Sequence, residues 1–192
     1  MVMNKTLFTT LVISGFLYGA LAYADSHTVA VGFAQSKVQD FKHIRGVNLH
    51  YRYEWDYPVS IIGSLAYMKG SEHTRSTGEN YVEKGSGDVK YYSLMVGPAY
   101  RINDYVSIYG LLGFSHFKVD YSYHESERIN DKISSYHGSE NRKSTNFAYG
   151  AGIEVNPIQY LSIYAGYEGS EEKFNDKSFN INGFNIGVGY RF

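Results

Sequence analysis

Apolar residues fall at every second position over the last nine residues of the chain, where Phe184, Ile186, Val188, Tyr190 and Phe192 alternate with Asn185, Gly187, Gly189 and Arg191. A period of two puts one set on each face of an extended strand. The same pattern runs earlier, with Val47, Leu49, Tyr51 and Tyr53 on one face and Asn48, His50, Arg52 and Glu54 on the other. Further strands are predicted near 27–36, 59–69, 89–101, 105–118, 144–155 and 160–169, making eight. Their apolar faces include Ile61, Leu65 and Tyr67; Leu94, Val96 and Tyr100; Val106, Ile108 and Leu112; Phe147, Tyr149 and Ile153; and Leu161, Ile163 and Tyr167. Short connections at 55–58, 102–104 and 156–159 alternate with long polar ones near 37–45, 70–88, 119–143 and 170–178.

The second face decides what closes around what. It carries Arg52, Glu54, Arg101, Glu154, Glu168 and Arg191, and six charges in the core of a soluble lipocalin-like barrel or sandwich would be very costly. If the apolar face meets lipid instead, those charges line a narrow lumen and neutralise one another, three against three. The expected fold is therefore all-β: an eight-stranded antiparallel transmembrane barrel with short periplasmic turns and long extracellular loops. Tyr53, Trp55, Tyr57, Tyr100, Tyr105, Tyr160, Tyr190 and Phe192 fall beside the short turns or the C-terminus and form the expected inner-interface girdle. Tyr190 and Phe192 are also the expected assembly signal, as an aromatic terminal strand.

Residues 1–24 read differently. Lys5 precedes an apolar run from Leu7 to Ala22 and the small-x-small pattern Ala22, Tyr23, Ala24, which is the form of a cleaved signal peptide. The run is short of the roughly 20 residues a membrane helix needs. Residues 25–192 then form one barrel domain of 168 residues. Composition agrees with strands in a bilayer: 20 Tyr, 11 Phe and 20 Gly against 3 Pro favour pleated, aromatic-rich elements. With no Cys, an exported chain cannot draw on disulfides. A net charge of −1 gives no footprint for nucleic acid.

Three stretches resemble a known family. Gly46 to Glu54 (GVNLHYRYE), Val96 to Asp104 (VGPAYRIND) and Phe184 to Phe192 (FNIGVGYRF) are similar to signatures of the Ail/Lom (OmpX/PagC-like) family of enterobacterial outer-membrane proteins. Phe33 to Lys42 (FAQSKVQDFK) is most similar to its PagC-type branch. His50 stands where the family signature usually has Lys, which changes the charge of one lumen position. The resemblance implies a virulence-associated surface protein. It further implies adhesion or invasion, contact with host matrix, cell-surface or complement-regulating proteins, and survival of serum or phagocytes. Outer-membrane lipid and lipopolysaccharide are the expected surroundings, and the barrel is expected to be monomeric.

The same residues bear on two competing chemistries. A conducting pore conflicts with eight strands, whose interior only side chains can fill; here large inward Tyr109, Tyr164, Arg52 and Arg101 oppose Gly97, Gly113, Gly150, Gly152 and Gly187. A lipid-A-modifying enzyme would draw on His124, Glu125, Ser126 and Glu140, or on Ser115 with His116, but such combinations arise often in Ser- and Glu-rich segments. The seven His are scattered, so no metal and no cofactor are expected. The reading is a non-enzymatic surface protein, with a purely structural barrel as the alternative. Its contact residues are sought in the loops: Lys37, Lys42 and Arg45 for charge, because residues 36–45 balance to +2 while 69–90 and 118–143 each balance to zero; and Phe41, Tyr121 and Tyr123 for apolar contact. Alternation of Val119, Tyr121 and Tyr123 with Asp120, Ser122 and His124 predicts that this strand continues beyond the bilayer and leaves an edge that a partner strand can join.

Overall fold

The computed structural model describes residues 25–39, 43–77, 81–129, 132–174 and 177–192. The expected signal peptide, residues 1–24, lies outside them. Among the described residues the chain forms eight strands: β1 (Ser26–Val38), β2 (His43–Glu54), β3 (Val59–Thr77), β4 (Tyr81–Arg101), β5 (Val106–Ile129), β6 (Lys132–Ile158), β7 (Leu161–Phe174) and β8 (Lys177–Arg191). Each pairs antiparallel with the next, and β8 returns to β1 to close the barrel. The closure reaches the last residue: Phe192 N donates to His27 O at 2.8 Å, and His27 N to Phe192 O at 2.7 Å.

Alternation sets the faces as the sequence pattern requires. Val31, Leu49, Leu65, Leu94, Leu112, Phe147 and Ile186 point outward and are about half exposed, whereas Ala30, Asn48, Ser64, Met95 and Ala148 are buried inside. Two aromatic belts bound the apolar band. One holds Tyr100, Tyr105, Tyr160 and Tyr190, all more than half exposed. The other holds Tyr67 and Tyr92, their rings 4.9 Å apart, with His116 6.5 Å beyond Tyr92. Tyr92 and Tyr100 lie eight residues apart on β4, about 27 Å along a strand and about 21 Å in height at a 40° tilt, close to the thickness of a barrel's apolar band. Turn chemistry closes the short-turn end, where the Asn103 side chain accepts from the backbone N–H of both Tyr105 and Val106 at 2.9 Å.

The long connections need a correction. Residues 70–88 and 119–143, expected as long connections, are mostly strand, as the alternation from Val119 to His124 had predicted for the start of the second: β3, β4, β5 and β6 run for 19, 21, 24 and 27 residues, against roughly 10 needed to cross a bilayer. Outside the apolar band the alternation that marks a strand fades from most of the sequence while the backbone ladder continues. Pairing runs out to Thr77↔Val82, Tyr81↔Glu127 and Ile129↔Lys132. On the flanks it stops sooner, at Arg45↔Lys69 between β2 and β3 and at Ala148↔Ser170 between β6 and β7. A four-stranded sheet therefore stands above the barrel with two edges, 70–77 on β3 and 132–147 on β6.

Inside, the lumen is layered. Ions occupy the short-turn end, while Ile62, Met95, Tyr109 and Leu111 gather in the middle. The hairpin end is stoppered by Val38, Ile44, Met68, Val89, Phe117 and Ile181. That apolar stopper was not among the sequence expectations, which placed charged and tyrosine side chains in the lumen.

Candidate functional site

Arg52, a fully buried side chain, joins two carboxylates. Its Nη1 lies 3.1 Å from Glu154 Oε1, its Nη2 3.1 Å from Glu54 Oε1, and its Nε donates to Ser60 Oγ at 2.9 Å. Glu54 also takes Arg101 at 2.8 Å and Arg191 at 2.9 Å. Five of the six predicted lumen charges thus form one cluster. Glu168 does not belong to it. It sits opposite Gly150, four residues along β6 from Glu154, about 13 Å of strand, and there it accepts from Tyr91 Oη at 2.7 Å.

Above the ions, tyrosines fill the space that glycines leave. A Cβ on Gly152 would fall 2.3 Å from Tyr109 Oη, and one on Gly187 2.5 Å from the Tyr164 ring. Tyr164 also donates to Asn48 Oδ1 at 2.7 Å. His50 stacks on Tyr164 with centroids 4.0 Å apart and meets Tyr109 edge-on at 5.5 Å. A flat aromatic ring fills this slot between the two tyrosines.

The lumen is therefore filled, and the available surface is outside. Lys37 and Arg45 are exposed on the outward faces of β1 and β2, Arg45 Nε donating to Gln35 Oε1 at 2.7 Å. Phe41 and Lys42 lie outside the described residues. Tyr121 and Tyr123 project from the opposite face of the wall, the one that carries Phe117 lower on β5. Their rings are 6.2 Å apart, and Tyr123 covers Gly138 directly across the ladder. Among the described residues, Lys37 and Arg45 consequently do not share a surface with Tyr121 and Tyr123. Parity along β5 was legible in the sequence, but its direction relative to β1 was not.

The catalytic alternatives gain nothing from the geometry. Ser115 and His116 are neighbours on β5, so Ser115 is buried inside while His116 faces outward, its Nδ1 2.8 Å from Thr145 Oγ1. Glu140 binds Arg142 at 2.7 Å. The side chains of His124, Glu125 and Ser126 lie outside those described. Among the described residues no three His, Asp or Glu side chains are grouped to hold a metal ion.

An outward apolar band between aromatic belts, a closed ladder and long hairpins on one end match the family model described as outer membrane protein beta-barrel domain, over residues 8–192. The chain belongs to this outer-membrane β-barrel family. It is 46% identical over 198 residues, covering 99% of this chain and all of the relative, to "Virulence membrane protein PagC" of Salmonella typhimurium. To "Attachment invasion locus protein" of Yersinia pseudotuberculosis it is 38% identical, covering 99% and 98%. The crystal structure of Ail, the attachment invasion locus protein of Yersinia pestis, in complex with the heparin analogue sucrose octasulfate, superposes with a TM-score of 0.68. Identity is 37%, and the match covers 88% of this chain and 99% of that one. The barrel resides in the outer membrane, and in this family of PagC- and Ail-like barrels the short turns face the periplasm and the hairpins face outward.

Proposed function

We propose that this outer-membrane barrel is a non-enzymatic, virulence-associated surface protein, exported with removal of residues 1–24, that contacts host components through the sheet formed by β3 to β6. One observation carries the reading: residues 132–147 of β6 are paired with β5 but not with β7. From Thr145 to Lys132 this edge extends about 44 Å along the strand, and a protruding strand edge of this kind is a template for strand addition by an extended segment of a host protein. The names of the relatives, virulence membrane protein and attachment invasion locus protein, support the same direction.

Charge supplies a second element of contact. Lys37 and Arg45 face outward at the rim, with Lys42 in the same connection, and the Ail complex with a heparin analogue supports a sulfated polymer as one ligand class for them. Tyr121 and Tyr123, on the other face of the sheet, contribute apolar contact to a different part of the partner. The test is a non-adherent strain expressing the barrel, scored for adhesion to host cells and survival in serum against an empty-vector strain. A gain in either supports the reading; no gain in both returns the protein to a purely structural role.

A further inference from the structure

Glu54 holds more cations than it can neutralise. Its Oε1 accepts from Arg101 Nη2 at 2.8 Å and lies 3.1 Å from Arg52 Nη2, while its Oε2 accepts from Arg191 Nε at 2.9 Å. Arg52 is balanced by Glu154, 3.1 Å from its Nη1. Arg101 and Arg191 therefore share the single charge of Glu54, and three arginines against two glutamates leave one positive charge in excess. Each of the two spends one nitrogen of its guanidinium on that carboxylate, and neither side chain has another partner among the described residues. Most of each planar donor fork is left over. The Glu54 side chain that anchors them is 3% exposed, whereas those of Arg101 and Arg191 are 29% and 21% exposed, so the unused donors reach water at the short-turn mouth of the barrel.

Both arginines line a pocket of about 580 Å³ there, between the turn that holds Asp104 and the turn that holds Pro157 and Ile158, a volume in the range of small-molecule sites. Its walls are stitched together. Asn156 N donates to Tyr105 O at 2.8 Å, Arg191 N to Tyr160 O at 3.0 Å, and the Asn156 side chain to Leu161 O at 3.2 Å. Val155 pairs with Ile163 but Ile158 with Leu161, so β6 carries one residue more than β7 at this point, a bulge of the kind that re-aims side chains and is over-represented beside functional sites. Asp104 is exposed in the wall and is paired with neither arginine. A ligand that matches the pocket brings a carboxylate to the arginine forks, which suit its planar geometry, an ammonium to Asp104, and an apolar stem to Pro157 and Ile158. The excess cation and Asp104 sum to zero, which favours such a zwitterion over a multiply charged anion.

We infer that Arg101, Arg191 and Asp104 form a periplasmic binding site for an α-amino-acid zwitterion, the group with which a diaminopimelate side chain ends in the peptide stems of the cell wall. The mouth opens toward the periplasm, where the wall presents that group fixed to a polymer and free amino acids present the same chemistry in solution. The site is independent of the host-contact reading: loss of adhesion would leave it standing, and loss of the zwitterion would leave adhesion untouched.

The folded barrel in lipid nanodiscs is titrated with meso-diaminopimelate while the backbone amide resonances of 102–105 and 156–160 are followed, and the barrel in detergent is sedimented with purified sacculi. Saturable shifts confined to those two turns and co-sedimentation with sacculi are the expected results. Arg101→Gln weakens diaminopimelate at least about tenfold, and Arg101→Lys, which keeps the charge but not the fork, weakens it less. Asp104→Asn weakens diaminopimelate several-fold yet leaves pimelate, the same chain without its amines, unchanged. Asp56→Asn, on a short turn outside the pocket, changes nothing. If Arg101→Gln does not give the heat-modifiable folded band, the contrast between diaminopimelate and pimelate in Asp104→Asn decides, because that side chain is exposed on a turn. The site is overturned by the absence of saturable shifts in the unmodified barrel, or by undiminished binding in folded Arg101→Gln. Complete displacement by an equal concentration of inorganic phosphate overturns it too, since any oxyanion would then be the occupant. Binding of free diaminopimelate without co-sedimentation upholds the pocket and overturns the cell wall as its source.

Discussion

Removing the Arg52 guanidinium leaves Glu54 and Glu154 facing one another in a closed interior, with no other cation on Glu154 among the described ion pairs. Breaking a buried pair by deleting one partner costs about 3–5 kcal/mol, so Arg52→Leu should lower stability by that order in urea unfolding from lipid vesicles. Arg101 is different. Its side chain is 29% exposed and its carboxylate keeps Arg52 and Arg191, so Arg101→Leu should cost about 1 kcal/mol or less. Equal losses would show that the cluster does not hang on the buried arginine. That these residues face inward was legible from alternation alone. Which arginine meets which carboxylate was not, because it depends on register and stagger around the whole barrel; Glu168, counted with the ions in the sequence, bonds to Tyr91 for that reason.

Strands were legible where they cross lipid and not where they leave it. Leu94, Val96 and Tyr100 announce β4 because they alternate with Ser93, Gly97 and Ala99, whereas Tyr81 to Asp88 of the same strand mix apolar, charged and glycine residues without alternation and offer no contrast to read. Summed loop charges misled in a similar way. The stretches 69–90 and 118–143 each balance to zero, yet registers pair Lys69 with Lys90, Lys90 with Lys118 and Lys118 with Lys143. Two outcomes belong to single elements. Deleting Phe192 removes the two backbone bonds to His27 and the ring stacked on it at 5.6 Å, so the heat-modifiable folded form should fall far more than after loss of a hairpin residue; equal yields would argue against the terminal strand as the assembly signal. Replacing residues 123–138 by Asn-Gly joins Ser122 to Ser139, which already pair, through a turn suited to a two-residue hairpin. Folded yield should be unchanged, since β5 and β6 remain paired from there to the periplasm. A collapse in yield would mean the extension is needed for the barrel itself.

Taken whole, the molecule is a filled cylinder carrying a sheet. The ionic cluster, the tyrosine–glycine layer and the apolar stopper occupy the lumen from one end to the other, so liposomes containing the barrel should swell in small sugars no faster than empty ones; porin-like swelling would contradict the packing. What the fold offers its surroundings is then the outer rim and the sheet above it. Adhesion of a non-adherent strain should rise when it expresses the intact barrel and return to background with the 123–138 replacement at matched surface levels of folded protein. Adhesion undiminished by that replacement would contradict the proposal that the protruding sheet is the part of this protein that meets the host.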